Sequence, residues 1–354
     1  MSHRFELRTV DDEVVVRDVV DGRWAEPAGA PDEVVGLGLW ALPGLVDAHA
    51  HLSSEELDFA PGDPDGARRR ARESLQAGVM LILDKGWSDD TAIDVIRSVP
   101  EGDRPDIEAA GAIVTTEGGY MPGFGLETSD EGLEDLVRER ARASAGWVKL
   151  IGDWPRRGVG PVSNFDEAQL KRAVTVAESE GARVAVHAMA REVPSMAVAA
   201  GVHSIEHGLF LDENDLELLG SRQGMWVPTI LRCEATVAQL GESSTGGRLL
   251  TEGLERIRRL LRPAVEAGVR VLPGTDLIGS PTNVAAEAMK LAEYGLDARM
   301  AIEAATSVDV SSAGGPSGFG IGAPANAVLY PANPVDDVSV LGHPAHVIRL
   351  GQVR

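Results

Sequence analysis

The rhythm of apolar and polar positions changes near Leu42. Before it, residues 4–9, 13–19 and 34–40 form short strand-like runs separated by acidic and Pro/Gly turns. After it, apolar runs of strand length alternate with amphipathic stretches of helical period. Eight such runs predict strands at 44–50, 79–84, 108–114, 147–151, 183–187, 203–207, 225–230 and 269–274. Stretches 65–77, 130–145, 166–180 and 247–267 predict helices between them. Asn164-Phe165-Asp166-Glu167 supplies an N-cap and an acidic first turn. Gly78, Gly181 and Gly268 stand where helices need a left-handed C-cap.

Eight strand–helix units predict an α/β fold, a TIM-like (β/α)8 barrel over 42–324, with active groups at the C-terminal ends of its strands. Residues 325–354 turn strand-like again, with Ala327-Val328-Leu329-Tyr330 and Val347-Ile348-Arg349-Leu350. Pairing them with residues 1–41 predicts a small β-sandwich beside the barrel. Residues 314–325, rich in Gly, Pro and Ser, are the expected linker.

Composition narrows the class. With 354 residues and 44% hydrophobic positions the chain can bury a large core, and no apolar run reaches membrane-spanning length. Met1-Ser2-His3-Arg4-Phe5-Glu6 lacks the apolar core of a signal peptide. The single cysteine, Cys233, excludes an intrachain disulfide, argues against a thiolate metal cage and fits a reducing cytoplasm. A formal charge of -22 repels phosphate backbones and anionic lipid, so neither nucleic acid nor membrane is an expected partner. A small-molecule substrate is.

Candidate chemistry gathers at strand ends. In Val46-Asp47-Ala48-His49-Ala50-His51 the two histidines share one face of a strand and converge, as a cation site requires. Lys149 lies inside the run Trp147-Val148-Lys149-Leu150-Ile151. His187, His207 and Asp276 end the runs Val184-Ala185-Val186-His187, Ser204-Ile205-Glu206-His207 and Val271-Leu272-Pro273-Gly274-Thr275-Asp276. All six fall at the C-terminal ends of predicted strands 1, 4, 5, 6 and 8. A structural histidine has no reason to follow that rule.

Pro43-Gly44-Leu45-Val46-Asp47-Ala48-His49-Ala50-His51 resembles the opening signature of the amidohydrolase superfamily. Ser204-Ile205-Glu206-His207-Gly208 and Gly274-Thr275-Asp276 resemble its sixth- and eighth-strand motifs. With Trp147-Val148-Lys149-Leu150, the set is most similar to the prolidase-like and metal-dependent carboxypeptidase-like branch, which carries a carboxylated lysine. The resemblance implies two divalent metal ions, usually zinc. His49, His51 and Asp276 hold the more buried ion, His187 and His207 the other, and carboxylated Lys149 bridges them. It further implies a metal-bridged hydroxide as nucleophile, with Asp276 as general base and then acid. The implied reaction cleaves an amide bond of a small molecule such as a dipeptide or an N-acyl amino acid. By resemblance alone, a homodimer or larger assembly is compatible.

Other readings stay open at this level. A mononuclear deaminase or imidazolone-type hydrolase would not need Lys149, and such enzymes often carry a glutamate three residues after the fifth-strand histidine, where this chain has Ala190. The same machinery serves an ester or lactone hydrolase, and a non-catalytic scaffold could keep the fold. Substrate-facing candidates in the strand-end loops are Lys85, Tyr120, Trp154 and Arg232, with Trp87, Arg156, Arg157 and Thr229 beside them. Lys85 or an arginine is the candidate partner of a substrate carboxylate. Tyr120 stands where the branch commonly has His, and Asn326 where it has Asp. Alternation along 203–207 points Glu206 away from the face of His207, and His203 is expected to be structural.

Overall fold

The structure is a computed structural model and describes residues 3–56, 59–156, 159–278, 283–311 and 317–354. Ten strands form two parallel arcs. Leu45–Ala50, Val79–Asp84 and Asp106–Ala109 make one. The other runs Leu126–Thr128, Val114–Thr116, Trp147–Ile151, Arg183–Ala188, Ser204–His207, Met225–Val227 and Arg270–Val271. Every strand pair in both arcs is parallel.

No ladder runs unbroken around both arcs among the described residues, yet backbone hydrogen bonds cross both seams. Ala109 and Ala145 exchange N–H···O bonds of 3.0 and 2.8 Å. At the opposite seam Ala48 N donates to Pro273 O at 2.9 Å and Asp276 N to His49 O at 2.8 Å. Val46, Leu81, Trp147, Ala185, Val227 and Leu272, drawn from both arcs, pack into one buried cluster between them.

Local sequence explains these elements. Val79–Asp84 is buried at every position, as a parallel strand covered on both faces requires. Gly44 opens the strand Leu45–Ala50 at φ +122, and a Cβ there would lie 2.1 Å from Met80, so a side chain would part the first two strands. Helices Pro64–Gln76, Leu133–Ala143, Glu167–Ser179 and Thr245–Glu266 match the four expected. Asp166 and Gln169 form a reciprocal capping box, and Gly78, Gly181 and Gly268 take φ of +87, +77 and +88.

Three expectations shift. The run 108–114 breaks at Gly111 (φ +67) into two strands. The run 225–230 stops at Val227, because Pro228 cannot donate to a ladder and Thr229 (φ +46) turns the chain into helix Ile230–Leu240. Asp153–Arg156 and Gly160–Ser163 form an antiparallel hairpin where only a loop was expected.

The terminal segments, expected as a sandwich, form one hydrogen-bonded sheet of eight strands. Trp40–Leu42 pairs with both His3–Arg8 and Ala327–Tyr330, which joins the two ends of the chain. Alternation in Ala327–Tyr330 divides its side chains. Ala327 and Leu329 pack with Phe5, Leu7 and Trp24, whereas Val328 and Tyr330 pack with Leu45 and Val79 of the first arc and Leu75 of the helix Pro64–Gln76. Of the expected linker, residues 314–316 lie outside the described residues.

Candidate metal centre and active site

The six strand-end residues do converge. His49, His51, Lys149, His187, His207 and Asp276 all line one cavity of about 1120 Å³. One donor atom each from His49, His51 and Asp276 lie within 4.8 Å of one another. His49 and His51 alternate inward on their strand as their spacing predicts. Asp276 reaches them because Gly274 lets its segment pass close: a Cβ on Gly274 would stand 2.5 Å from that of His49.

Each histidine has one nitrogen toward the centre and the other engaged outside it. His51 Nε2 lies 3.3 Å from Asp276 Oδ1, and its Nδ1 meets Gly86 O at 2.6 Å. His49 Nε2 lies 3.7 Å from Asp276 Oδ1, and its Nδ1 lies 2.6 Å from Glu206 Oε2. His207 Nε2 faces His187 Nδ1 at 3.0 Å, while His207 Nδ1 meets Thr229 Oγ1 at 2.7 Å. His187 Nε2 is 3.8 Å from Asp153 Oδ1. Such outer partners fix the tautomer and aim the remaining lone pair.

Burial sets the charge states. It pushes His49 down to about 4 and His207 to about 3, and holds His187 well below the usual range, so all three are neutral donors near pH 7. Burial opposes ionisation of Asp276, but His49, His51 and His207 outweigh it and hold the carboxyl well below its usual range. Lys149 is brought down to about 8 by burial. Its Nζ has no hydrogen-bond partner among the described residues.

This donor set fits divalent metal: neutral imidazole nitrogens with outer partners, an ionised carboxylate, and a buried amine unpartnered among the described residues. His207, Thr229 and Asp276 also hold φ of +64, +46 and +42. Left-handed backbone at a non-glycine residue costs about 1–3 kcal/mol and clusters at functional sites.

The substrate-facing candidates divide. Trp87, Tyr120 and Trp154 line the cavity wall, with Tyr120–Trp154 and Trp87–Phe124 ring centroids 4.3 and 4.8 Å apart. Arg232 lines it too, donating from Nε to Asp276 O at 2.7 Å. Arg156, from the hairpin, bonds Gly118 O and Asn164 Oδ1. Lys85, expected to meet a substrate carboxylate, borders the cavity but is fully buried, 3.3 Å from Glu206 Oε1 and 3.9 Å from the centre of the Trp147 ring. Its charge already has a partner inside the protein. Thr229 is fully buried behind His207 instead of facing the cavity. Arg157 lies outside the described residues.

Two residues escaped sequence reasoning. Glu206 was expected on the far face, but His207 lies at positive φ, beyond strict alternation. Glu206 therefore points inward with Ser204, whose hydroxyl donates to Oε1 at 2.5 Å. Asp153, fully buried, accepts from Met189 N and Ala190 N, and burial raises it to about 7. A charged residue inside an apolar strand end was the available signal for both. His203 sits at the other end of its strand, with Nε2 3.3 Å from Glu178.

A strand-end centre of histidines and an aspartate over parallel arcs defines a class of metal-dependent hydrolases. Residues 40–354 match the amidohydrolase family, and the chain belongs to it, as a hydrolase of carbon–nitrogen bonds. It is 33% identical to an uncharacterized protein of Mycobacterium tuberculosis over 94% of this chain and 90% of that one. To the ochratoxinase of Aspergillus niger it is 24% identical, over 86% of this chain and 73% of the relative. Its fold resembles that of a Xaa-Pro dipeptidase with methionine bound in the active site, at TM-score 0.83 and 22% identity over the whole of both chains. No helix is long and apolar enough to cross a membrane among the described residues.

Proposed function

We propose that the chain is a binuclear amide hydrolase of small molecules, with His49, His51 and Asp276 holding one divalent ion and His187 and His207 a second. The observation that carries this is the pairing of four inward-aimed imidazoles with a buried Lys149 amine that lacks any partner among the described residues. Lys149, brought by burial to about 8, deprotonates far more readily than a free lysine, and its amine would take up carbon dioxide, with loss of a proton, to supply an anionic oxygen donor to the centre. When bound, the ions, zinc by donor type, activate water and polarise the scissile carbonyl. Asp276 takes the water's proton at a carboxylate oxygen and delivers it to the leaving amine. We read the two arcs as a (β/α)8 barrel spanning 42–324, with 1–41 and 325–354 as the flanking sheet domain.

The cavity wall supports a substrate with an apolar flank against Tyr120 and Trp154. Arg232 and Arg156, which line the same cavity, offer donors to a carboxylate. Among the described residues neither arginine bonds a side-chain carboxylate at hydrogen-bond distance; the nearest contact is Arg232 Nε to Asp276 Oδ2 at 3.7 Å. Names among the similar proteins, a dipeptidase and an ochratoxinase, agree with an amide substrate. The test is a panel of dipeptides, N-acyl amino acids and lactones assayed with zinc- or manganese-loaded protein. Turnover of carboxylate-bearing amides, lost in Asp276→Asn, is expected. Turnover confined to lactones would contradict the amide assignment.

A further inference from the structure

The buried pair beneath the histidines has no place in that reading. Glu206 and Lys85 are both fully buried. Relative to apolar side chains of the same size, a buried ion pair contributes little net stability and often costs some. What an apolar pair cannot do is hold an imidazole.

Glu206 Oε1 already receives the Ser204 hydroxyl at 2.5 Å and lies 3.3 Å from the Lys85 ammonium. Oε2 is left, 2.6 Å from His49 Nδ1. Nitrogen and oxygen lone pairs repel at that distance, so a proton must lie between them. With the carboxylate held by Lys85, that proton belongs on Nδ1 of His49. The Nε2 lone pair is then fixed on the side of Asp276. His51 and His207 are held differently, by the neutral Gly86 carbonyl and Thr229 hydroxyl. His49 alone of the three is held by a carboxylate within hydrogen-bond reach, which makes it the strongest electron donor among them.

We infer that Glu206 is the positioning residue of His49 and that Lys85 acts through Glu206, by holding its carboxylate in place. The inference rests on the metal-centre reading above. The Ser204–His207 strand then contributes twice, since His207 serves the centre directly and Glu206 aims a ligand from a different strand.

The experiment compares wild type, Glu206→Gln and the double variant Glu206→Leu/Lys85→Met. The double variant removes both charges together and leaves no lone buried ion. Its apoprotein should melt cooperatively, near the wild-type temperature. Zinc affinity, measured by competition with a chromophoric chelator, should fall about 10–100-fold in the double variant. Glu206→Gln, whose amide oxygen still accepts, should lie between. The fall in kcat should exceed any change in KM, since both side chains are fully buried and bear on a ligand. In wild-type apoprotein, the nitrogen-15 shifts of the His49 ring should report a protonated Nδ1, a signal lost in the double variant. Wild-type zinc affinity in a folded double variant, or a protonated Nε2 on His49 in the wild-type apoprotein, would overturn the inference. A wild type that binds no divalent metal would instead overturn the centre itself and this inference with it.

Discussion

Two buried polar clusters lie along the interior of the parallel arcs, and Trp147 touches both. At its indole nitrogen, Glu108 accepts from Trp147 Nε1 at 2.8 Å, binds Arg183, and takes the Ser311 hydroxyl on its other oxygen at 2.9 Å. Arg183 also stands 4.1 Å from the Trp147 ring centre. At the strand ends, Lys85 stands 3.9 Å from the same ring, and Glu206 links it to His49. The ingredients match: a cation, a glutamate and a shared tryptophan. The first cluster ends with both glutamate oxygens engaged by protein, and among the described residues only Arg183 Nε lacks a partner there. The second ends at imidazole nitrogens aimed at a cavity and at a lysine amine with no partner among the described residues. A closed cluster is accounted for by folding, whereas an open one points to something the protein must bind.

Substitutions should separate the two ends cleanly. Lys149→Ala removes an unpartnered buried amine, so the apoprotein should melt no lower than a simple cavity dictates, while bound metal and amide turnover are lost. A short carboxylic acid in excess should restore part of both. Wild-type metal content in that variant would break the contrast. Asp276→Asn comes next: kcat should drop by about 10³-fold or more with the fold kept, checked by steady-state kinetics and circular dichroism.

At the closed end the pattern reverses. Glu108→Ala strands the Arg183 guanidinium and the Trp147 N–H, and should cost about 2–3 kcal/mol in a urea melt. Metal stoichiometry and kcat of the surviving folded protein should be unchanged. Loss of metal in this variant would mean that the two clusters are one.

How much of this was legible in the sequence follows from backbone geometry. His49 lies on the strand Leu45–Ala50 and His51 one residue past its end; despite a register shift between Asp47 and Ala50, the i, i+2 spacing brought both to the centre. Lys149, His187 and the helix caps were visible for the same reason: period and capping chemistry hold where the backbone is regular. Glu206 was misplaced because alternation was counted from His207, which itself leaves the pleat at φ +64, whereas Glu206 keeps it with Ser204. Thr229, at φ +46, was misassigned to the cavity in the same way. Lys85 looked available for substrate because no sequence period reveals that Glu206, on a strand 121 positions away, would neutralise it.

The smallest expected effect lies behind the open end. Glu287 accepts from Ile230 N at 2.5 Å and Leu231 N at 3.1 Å, at the start of the helix that follows Thr229. Burial nonetheless raises its pKa from 4.5 to about 8. Between those values the folded protein keeps a proton that the unfolded chain has released. This group therefore lowers stability as pH rises across that window, by at most about 1.4 kcal/mol per pH unit, and the loss levels off above it. Glu287→Gln should flatten that part of the stability–pH curve, measured by urea melts at pH 5, 6, 7 and 8. An unchanged slope would place the carboxylate in a less hostile setting.

The account stands on the open cluster being a two-metal centre. Elemental analysis of protein grown with ample zinc or manganese and with bicarbonate, set against protein concentration, tests this most directly. Two divalent ions per chain in the wild type, falling to one or none in Lys149→Ala, is the predicted result. One ion or none per chain in the fully supplied wild type would contradict it.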